Sequence, residues 1–359
     1  MTPEQSALHL RLEPYLTVVS DGDTHAHLMV GEKVLLRCRG RLVPLLTSRL
    51  LPSLDGSLSV QEVCEQLDEV LPRKSTLSLL DLLLRHRVVY ETSAERQLPP
   101  QAVEAFGGLI HLLGRLSAGP FELLQSLLAS RVAVVGDSPL VRDIAQALGG
   151  CAIGQVELLS DRAIAAIPEQ PFVRVRAHPL EALEEVVPGC ALVVGVQDGD
   201  FAALPLLRKL NRYCVAEGAS WLHVRLTLEG KAWLGPLYMQ DEACFECVRL
   251  RFKNNLETWR ESSLHELGAQ RGELPVRRLG HPPLQAQVGT MVATQVLRIL
   301  SHAGPPPLAS RVQLVDLLTL ESHLHTVLKH PLCPVCSRAQ QGPSFPWEEE
   351  DLQLDRLLV

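Results

Sequence analysis

Four cysteines in this chain have the spacing to act together. Cys244 and Cys247 stand in Ala243-Cys244-Phe245-Glu246-Cys247, and Cys333 and Cys336 in Pro331-Leu332-Cys333-Pro334-Val335-Cys336. A two-residue spacer on a tight turn brings two thiolates to bite distance on one ion, and two such pairs fill a tetrahedron. With all four positions taken there is no vacancy for substrate, so the expected ion is a structural zinc that clips distant segments together. On spacing alone, two disulfides or ordinary buried thiols are the alternatives. The other cysteines, Cys38, Cys64, Cys151, Cys190 and Cys214, are scattered singly. The opening Met1-Thr2-Pro3-Glu4-Gln5 lacks the basic-then-apolar layout of a secretory signal. Both features argue for a reducing, cytoplasmic setting and hence for zinc. His323, His325 and His330 alternate with apolar residues or stand at a strand end, which suits exposed strand positions or hydrogen-bonded support around the thiolates better than ligation.

The elements that must position these thiols read as α/β. Of 359 residues, 46% are hydrophobic, enough for two domains and a sizeable core. The net charge of −7 gives no general pull toward nucleic acid. Apolar runs are short and broken by charge or proline, so no membrane span is expected. From Arg131 the pattern is strand–helix alternation. Strands are expected at 132–136, 156–159, 172–176, 191–196, 221–226 and 311–317, with helices at 139–148, 180–187, 201–217 and 283–302. A long polar helix, expected to be a solvated face, is read at 246–268. Such alternation predicts a largely parallel sheet with helices on both faces. The first strand runs into Gly136-Asp137-Ser138-Pro139-Leu140, the place of a phosphate loop. Only the first glycine of that loop is present, and Asp137 adds a negative charge where phosphates would sit. ATP is therefore not expected here, and the βαβ start reads as a retained scaffold.

Residues 1–92 read as a smaller α+β unit. Strands are expected at 15–19, 25–30 and 33–37, and helices at 42–51, 59–70 and 75–87, with a returning strand at 88–91. Ser59 with Glu62 makes a capping box for the second helix. This is the order of a winged helix. A DNA-reading helix should be basic along one face. The third helix instead runs Thr76-Leu77-Ser78-Leu79-Leu80-Asp81-Leu82-Leu83-Leu84, more leucine than one core stripe requires. The surplus suits a peptide added as an extra strand beside it, or packing against the second half. A helical linker is placed at 93–130, the α/β domain at 131–338 and an acidic tail at 339–359. Phe345 and Trp347, between prolines, are candidate anchors in that tail.

These features together resemble a known family. The second half resembles the ThiF-like fold of ubiquitin-activating-type enzymes in Val132–Gly136, in Arg208-Lys209-Leu210-Asn211-Arg212-Tyr213-Cys214, and in the two cysteine motifs. The first half, with Leu54-Asp55-Gly56-Ser57-Leu58-Ser59-Val60-Gln61-Glu62 between two helices, is similar to the RiPP recognition element, a winged helix that binds the leader of a ribosomally made peptide. The order of the two resembles the leader-binding partner proteins of thiazole/oxazole-modified microcin cyclodehydratases, a bacteriocin-type pathway. The resemblance implies that the leader lies as a strand against Lys33, Val34, Leu35, Leu36 and Arg37. Leu77, Leu80 and Leu84 would line the groove. It implies that a YcaO-type partner carries ATP and closes Cys, Ser or Thr side chains to azolines, so this chain would have no catalytic residues of its own. Asp198 and Asp200 lie near where active ThiF enzymes place a magnesium-binding aspartate. By analogy with ThiF-like proteins, a homodimer is expected. Two competing readings are an ATP-dependent ThiF-type adenylating enzyme acting on a peptide carboxylate, and a DNA-binding regulator. Net charge and the leucine-rich helix oppose the second.

Overall fold

A computed structural model describes residues 7–337 apart from 93, 94, 118, 200, 274 and 303. The chain opens with β1 (His9–Leu12), then a meander of β2 (Leu16–Ser20), β3 (His25–Val30) and β4 (Lys33–Arg39). Asp21 makes the first reversal of the meander. Its Oδ1 accepts from the N–H groups of His25, Thr24 and Asp23 at 2.8, 2.9 and 3.0 Å. These backbone donors, His25 first, hold its carboxyl well below the usual carboxylate range. Helical turns α1 (Val43–Leu45) and α2 (Leu51–Ser53) follow, then β5 (Asp55–Ser59), α3 (Val60–Leu67), α4 (Arg73–Arg85) and β6 (Val89–Glu91).

The helix expected at 42–51 is α-helical only at its ends. Residues Leu46–Leu50 form a π-turn, closed by the Leu51 N–H to Leu46 O. Pro52 supplies the reason. Its ring would press on the carbonyl four residues back in an α-helix, and a widened turn relieves that contact. The capping box of α3 is present: Glu62 N–H donates to Ser59 Oγ at 3.2 Å, and Ser59 N–H donates to Glu62 Oε2 at 2.7 Å.

This half carries two three-stranded antiparallel sheets, β5-β1-β6 and β2-β3-β4. The returning strand β6 pairs with β1, a strand the hydrophobic pattern did not reveal. Leu10, Leu28, Leu50, Leu54, Val63 and Leu83 fill the core between sheets and helices. Leu80 is fully buried with them. Its assignment to a peptide-binding surface is corrected: it holds α4 to the core. Leu77, Leu79 and Leu84 are half-buried at the margin of that core.

Three helices connect the halves: α5 (Pro100–Ala105), α6 (Gly107–Gly114) and α7 (Pro120–Ala129). They contribute Phe106, Ile110, Leu113, Leu124 and Leu127 to the same core as the large sheet. Arg87 ties α4 to α6, donating to Gly114 O at 3.0 Å and Leu116 O at 3.1 Å.

The large sheet begins at β7 (Arg131–Val135). It continues through α8 (Leu140–Gly150), β8 (Gln155–Leu159), β9 (Arg174–His178), α9 (Leu183–Val186), β10 (Leu192–Asp198), α10 (Leu204–Glu217), β11 (Trp221–Leu226) and β12 (Lys231–Tyr238). Then come α11 (Phe245–Asn254), α12 (Trp259–Gln270), α13 (Pro282–Leu300), β13 (Arg311–Asp316) and β14 (Ser322–Thr326). The eight strands lie in the order β14-β13-β12-β11-β10-β7-β8-β9. From β9 to β11 the pairing is parallel, and from β11 to β14 it is antiparallel. The sheet is therefore mixed. The central parallel strands β7 and β10 read as near-continuous apolar runs because both faces are covered, whereas β9, at the edge, is charged and largely exposed. The buried side chains of α8 and α13 lie in one core cluster and those of α9 and α10 in another.

The long helix expected at 246–268 is two helices, α11 and α12, interrupted at 255–258. Its face is not simply solvated either. Glu246 and Glu266 are buried and paired with arginines, as described next.

Candidate metal centre and peptide groove

Cys244 takes the N-cap position of α11 with extended backbone angles, and Cys247 follows one turn later. That geometry turns both sulfurs to the same side of the helix start. Cys333 and Cys336 lie in the turns after β14; Cys333 N–H donates to His330 O and Ser337 N–H to Cys333 O, each at 3.1 Å. The two knuckles meet. Cys244 Sγ lies 4.0 Å from Cys247 Sγ and 3.5 Å from Cys333 Sγ, and Cys247 Sγ lies 3.4 Å from Cys336 Sγ. All four sulfurs fall within 4.8 Å of one another. A tetrahedron with metal–sulfur bonds of about 2.3 Å has edges of about 3.8 Å, which these separations bracket. A disulfide would need sulfurs about 2 Å apart, so pairing as cystines does not fit; all four are free thiols. Hydrogen bonds from Cys247 and Cys333, with burial behind them, push the Cys244 thiol far up, while those from Cys244 and Cys333 hold Cys247 down. Packed this closely the sulfurs share protons, and all four become thiolates only when a cation takes the protons' place. The donor set can hold a metal ion.

Neighbouring side chains fix both knuckles. Asn211 Oδ1, fully buried on α10, accepts from the Phe245 N–H at 3.0 Å and orients the start of α11. Arg251 on α11 donates to Leu328 O at 2.6 Å and Lys329 O at 2.8 Å, so it grips the segment leading to the second knuckle. Glu246, between the first two cysteines, accepts from Arg208 Nε at 2.6 Å and Arg249 Nε at 2.7 Å. Arg249 continues to Glu266 Oε2 at 2.6 Å, where Lys253 also reaches at 3.5 Å. Arg208 and Glu246 stand 38 residues apart and Arg249 and Glu266 17 apart, and a one-dimensional pattern does not show such pairs. His323 and His325 are exposed on β14, as expected. His330 makes a turn, its Nδ1 accepting from the Leu332 N–H at 3.2 Å.

The crevice beyond β7 and β10 is the switch point of the sheet, where an open α/β fold takes its ligands. Here Arg278 donates to Asp137 O at 2.5 Å. A Cβ on Gly199 would meet Arg277 O at 1.9 Å, so the 277–278 backbone lies directly against the end of β10. Asp198 is buried, accepts from Gln285 Nε2 at 3.3 Å, and has its carboxyl pushed up by burial. Asp200 and the tail with Phe345 and Trp347 lie outside the described residues.

The expected peptide strand, β4, bonds to β3 on one side and forms the outer edge of its sheet. Lys33 and Arg37 are exposed, and Val34, Leu35 and Leu36 are half-buried. Beside the start of β4 opens a cavity of about 440 Å³ lined by Lys33, Val34 and Leu35, by Arg85–Arg87 at the end of α4, and by His111 and Arg115 on and after α6. Leu77 and Leu84 pack at the margin of the same core as Leu35 and Leu36.

No protein-family model and no curated protein matches this chain. Solved structures share its fold. The heterocyclase TruD superposes with a TM-score of 0.66 at 19% identity, covering 93% of this chain and 43% of that one. A heterocyclase in complex with substrate and cofactor gives 0.61 at 20%, covering 91% and 39%. The microcin C7 biosynthetic enzyme MccB, in complex with N-formylated MccA, gives 0.63 at 13%, covering 91% and 99%. The chain thus spans less than half of the heterocyclases and nearly all of MccB.

Proposed function

We propose that this chain is the leader-recognition subunit of an azoline-forming RiPP cyclodehydratase. Residues 1–92 serve as the winged-helix recognition element, 93–130 as a helical linker, 131–338 as a ThiF-like domain and 339–359 as an acidic tail. The leader of a precursor peptide adds as a strand to Lys33–Arg37, with Leu77 and Leu84 beside it. The chain presents the core peptide to a YcaO-type partner, which it activates and which carries ATP. The carrying observation is the outer edge of β4, unpaired among the described residues, beside a cavity. Edge N–H and C=O groups supply affinity for any extended peptide, and alternate side chains supply selection. Zinc fits the four thiolates and would hold the two knuckles, and thereby α11 and β14, in one arrangement. The protein works in the cytoplasm, where thiols stay reduced.

The experiment is fluorescence polarisation with the labelled leader peptide encoded beside this gene, zinc-loaded protein and no ATP. Saturable binding is expected, weakened tenfold or more by Leu35→Asp. N-methylating alternate leader amides, which blocks strand pairing without touching the protein, should weaken it as much. Absence of binding by folded, zinc-loaded protein would overturn the recognition role.

A second reading is a ThiF-type enzyme that adenylates a peptide carboxylate; the match across 99% of MccB favours it. The Asp137 loop and the overlying Arg277–Arg278 segment oppose it. Pyrophosphate exchange by the isolated protein with ATP and precursor would establish it.

A further inference from the structure

Strand addition explains affinity for an extended backbone but leaves open which side chains the leader must carry. We infer that the cavity at the start of β4 is an anion socket, and that it takes an aspartate or glutamate side chain at the end of the leader strand lying beside Lys33. This inference rests on the leader-recognition reading above.

The charge count of the wall carries the argument. Lys33, Arg85, Arg87 and Arg115 line the cavity as cations, with His86 between two of them. Glu13 is the one carboxylate in the lining, and it is already spent. It is buried, bonded to His111 Nδ1 at 2.5 Å and to the Tyr15 N–H at 3.2 Å. The ammonium of Lys33 and the guanidinium of Arg115 have no partner among the described residues, and both side chains are exposed. Arg85 pairs with Asp81, which does not line the cavity. Arg87 bonds to two carbonyls, which satisfy its N–H groups without neutralising its charge.

One effect opposes an anion here. The cavity lies at the C-terminus of α4, the negative end of a helix. That end is closed off, however. Leu82 O, Leu83 O and Leu84 O accept from the N–H groups of His86, Val88 and Arg87 at 3.0, 2.9 and 3.0 Å. With these carbonyls taken, Lys33, Arg87 and Arg115, the lining cations without a carboxylate partner among the described residues, decide the sign of the site. The apolar wall of Val34 and Leu35 narrows it to a side chain on an extended backbone, since the same residues belong to the edge strand.

The test uses the labelled leader encoded beside this gene, with each Asp or Glu changed in turn to Asn or Gln. It also uses Lys33→Glu and Arg115→Glu proteins, whose exposed positions let them fold. One acidic residue should stand out, its amidation weakening binding about tenfold, or about 1.4 kcal/mol. Lys33→Glu/Arg115→Glu should weaken the parent leader similarly yet bind the amidated leader no worse than wild type does. A leader whose acidic residues can all be amidated without loss, or that has none, overturns the socket while strand recognition stands. A parent leader that fails to bind wild-type protein overturns both.

Discussion

His223 shows how one buried side chain writes pH into stability. It sits on β11, edge-on to Phe245 with ring centroids 5.2 Å apart, and is buried. Burial, with Arg225 nearby, pushes its pKa from 6.5 down to about 3. Below pH 6.5 the unfolded chain takes up a proton that the folded chain refuses, so stability falls as pH falls. At about 1.4 kcal/mol per unit, wild type should lose about 2 kcal/mol more than His223→Gln between pH 6.5 and 5. Urea melts at the two pH values measure this, and equal losses would contradict it. Residues differ in how far sequence shows their role. The cysteine pairs are legible because a two-residue spacer is a local signal. Leu80 was not, because a run of leucines carries no phase to say which one faces inward. Asn211 and Glu246 were not recognisable as the supports of the first knuckle. Asn211 meets its partner 34 residues away and Glu246 meets Arg208 38 residues away.

Elements were read well where the apolar period was long and clean, as in β7, β10, β11 and α13. β12 was missed because Gly235-Pro236 interrupts it; proline cannot donate to a ladder and argues against a strand. β1 and β5 were missed because each is short and half-exposed. The join between α11 and the second knuckle is an element-scale device. Arg251 on the helix holds two carbonyls of the incoming segment, so the helix positions thiols it does not itself carry. Arg251→Ala should lower metal affinity about tenfold, as loss of a supporting contact does, while leaving one metal per chain at saturation. Competition with a chromogenic chelator would show it, and unchanged affinity would reduce Arg251 to a surface contact.

At the scale of the molecule, two places on the fold differ in how open they are. Among the described residues the outer edge of β4 has no neighbouring strand, whereas the crevice at the switch point is crossed by Arg277 and Arg278, with Asp137 in its loop. On the proposed reading, the isolated protein given ATP and precursor should show no pyrophosphate exchange and no azoline formation, with azolines appearing only when a YcaO-type partner is added. Exchange without a partner would reverse the assignment. The α/β character of the large sheet was legible from strand–helix alternation. The mixed pairing beyond β11 was not, since antiparallel and parallel neighbours are decided by loops rather than by the strands. Among the described residues, no helix is long and apolar enough to cross a membrane.

The distance between the cysteine knuckles has a consequence for synthesis. Cys244 and Cys333 stand 89 residues apart and meet at 3.5 Å. At translation rates of about 5–20 residues per second, the first pair is out of the ribosome for several seconds before its partners exist. During that interval Cys247 and Cys244 are bare thiols on an unfinished sheet that still lacks β13 and β14. A metal ion that needs all four thiols can be captured only as a closing event of biogenesis. Oxidation in that window would trap the nascent chain before its last two strands could dock.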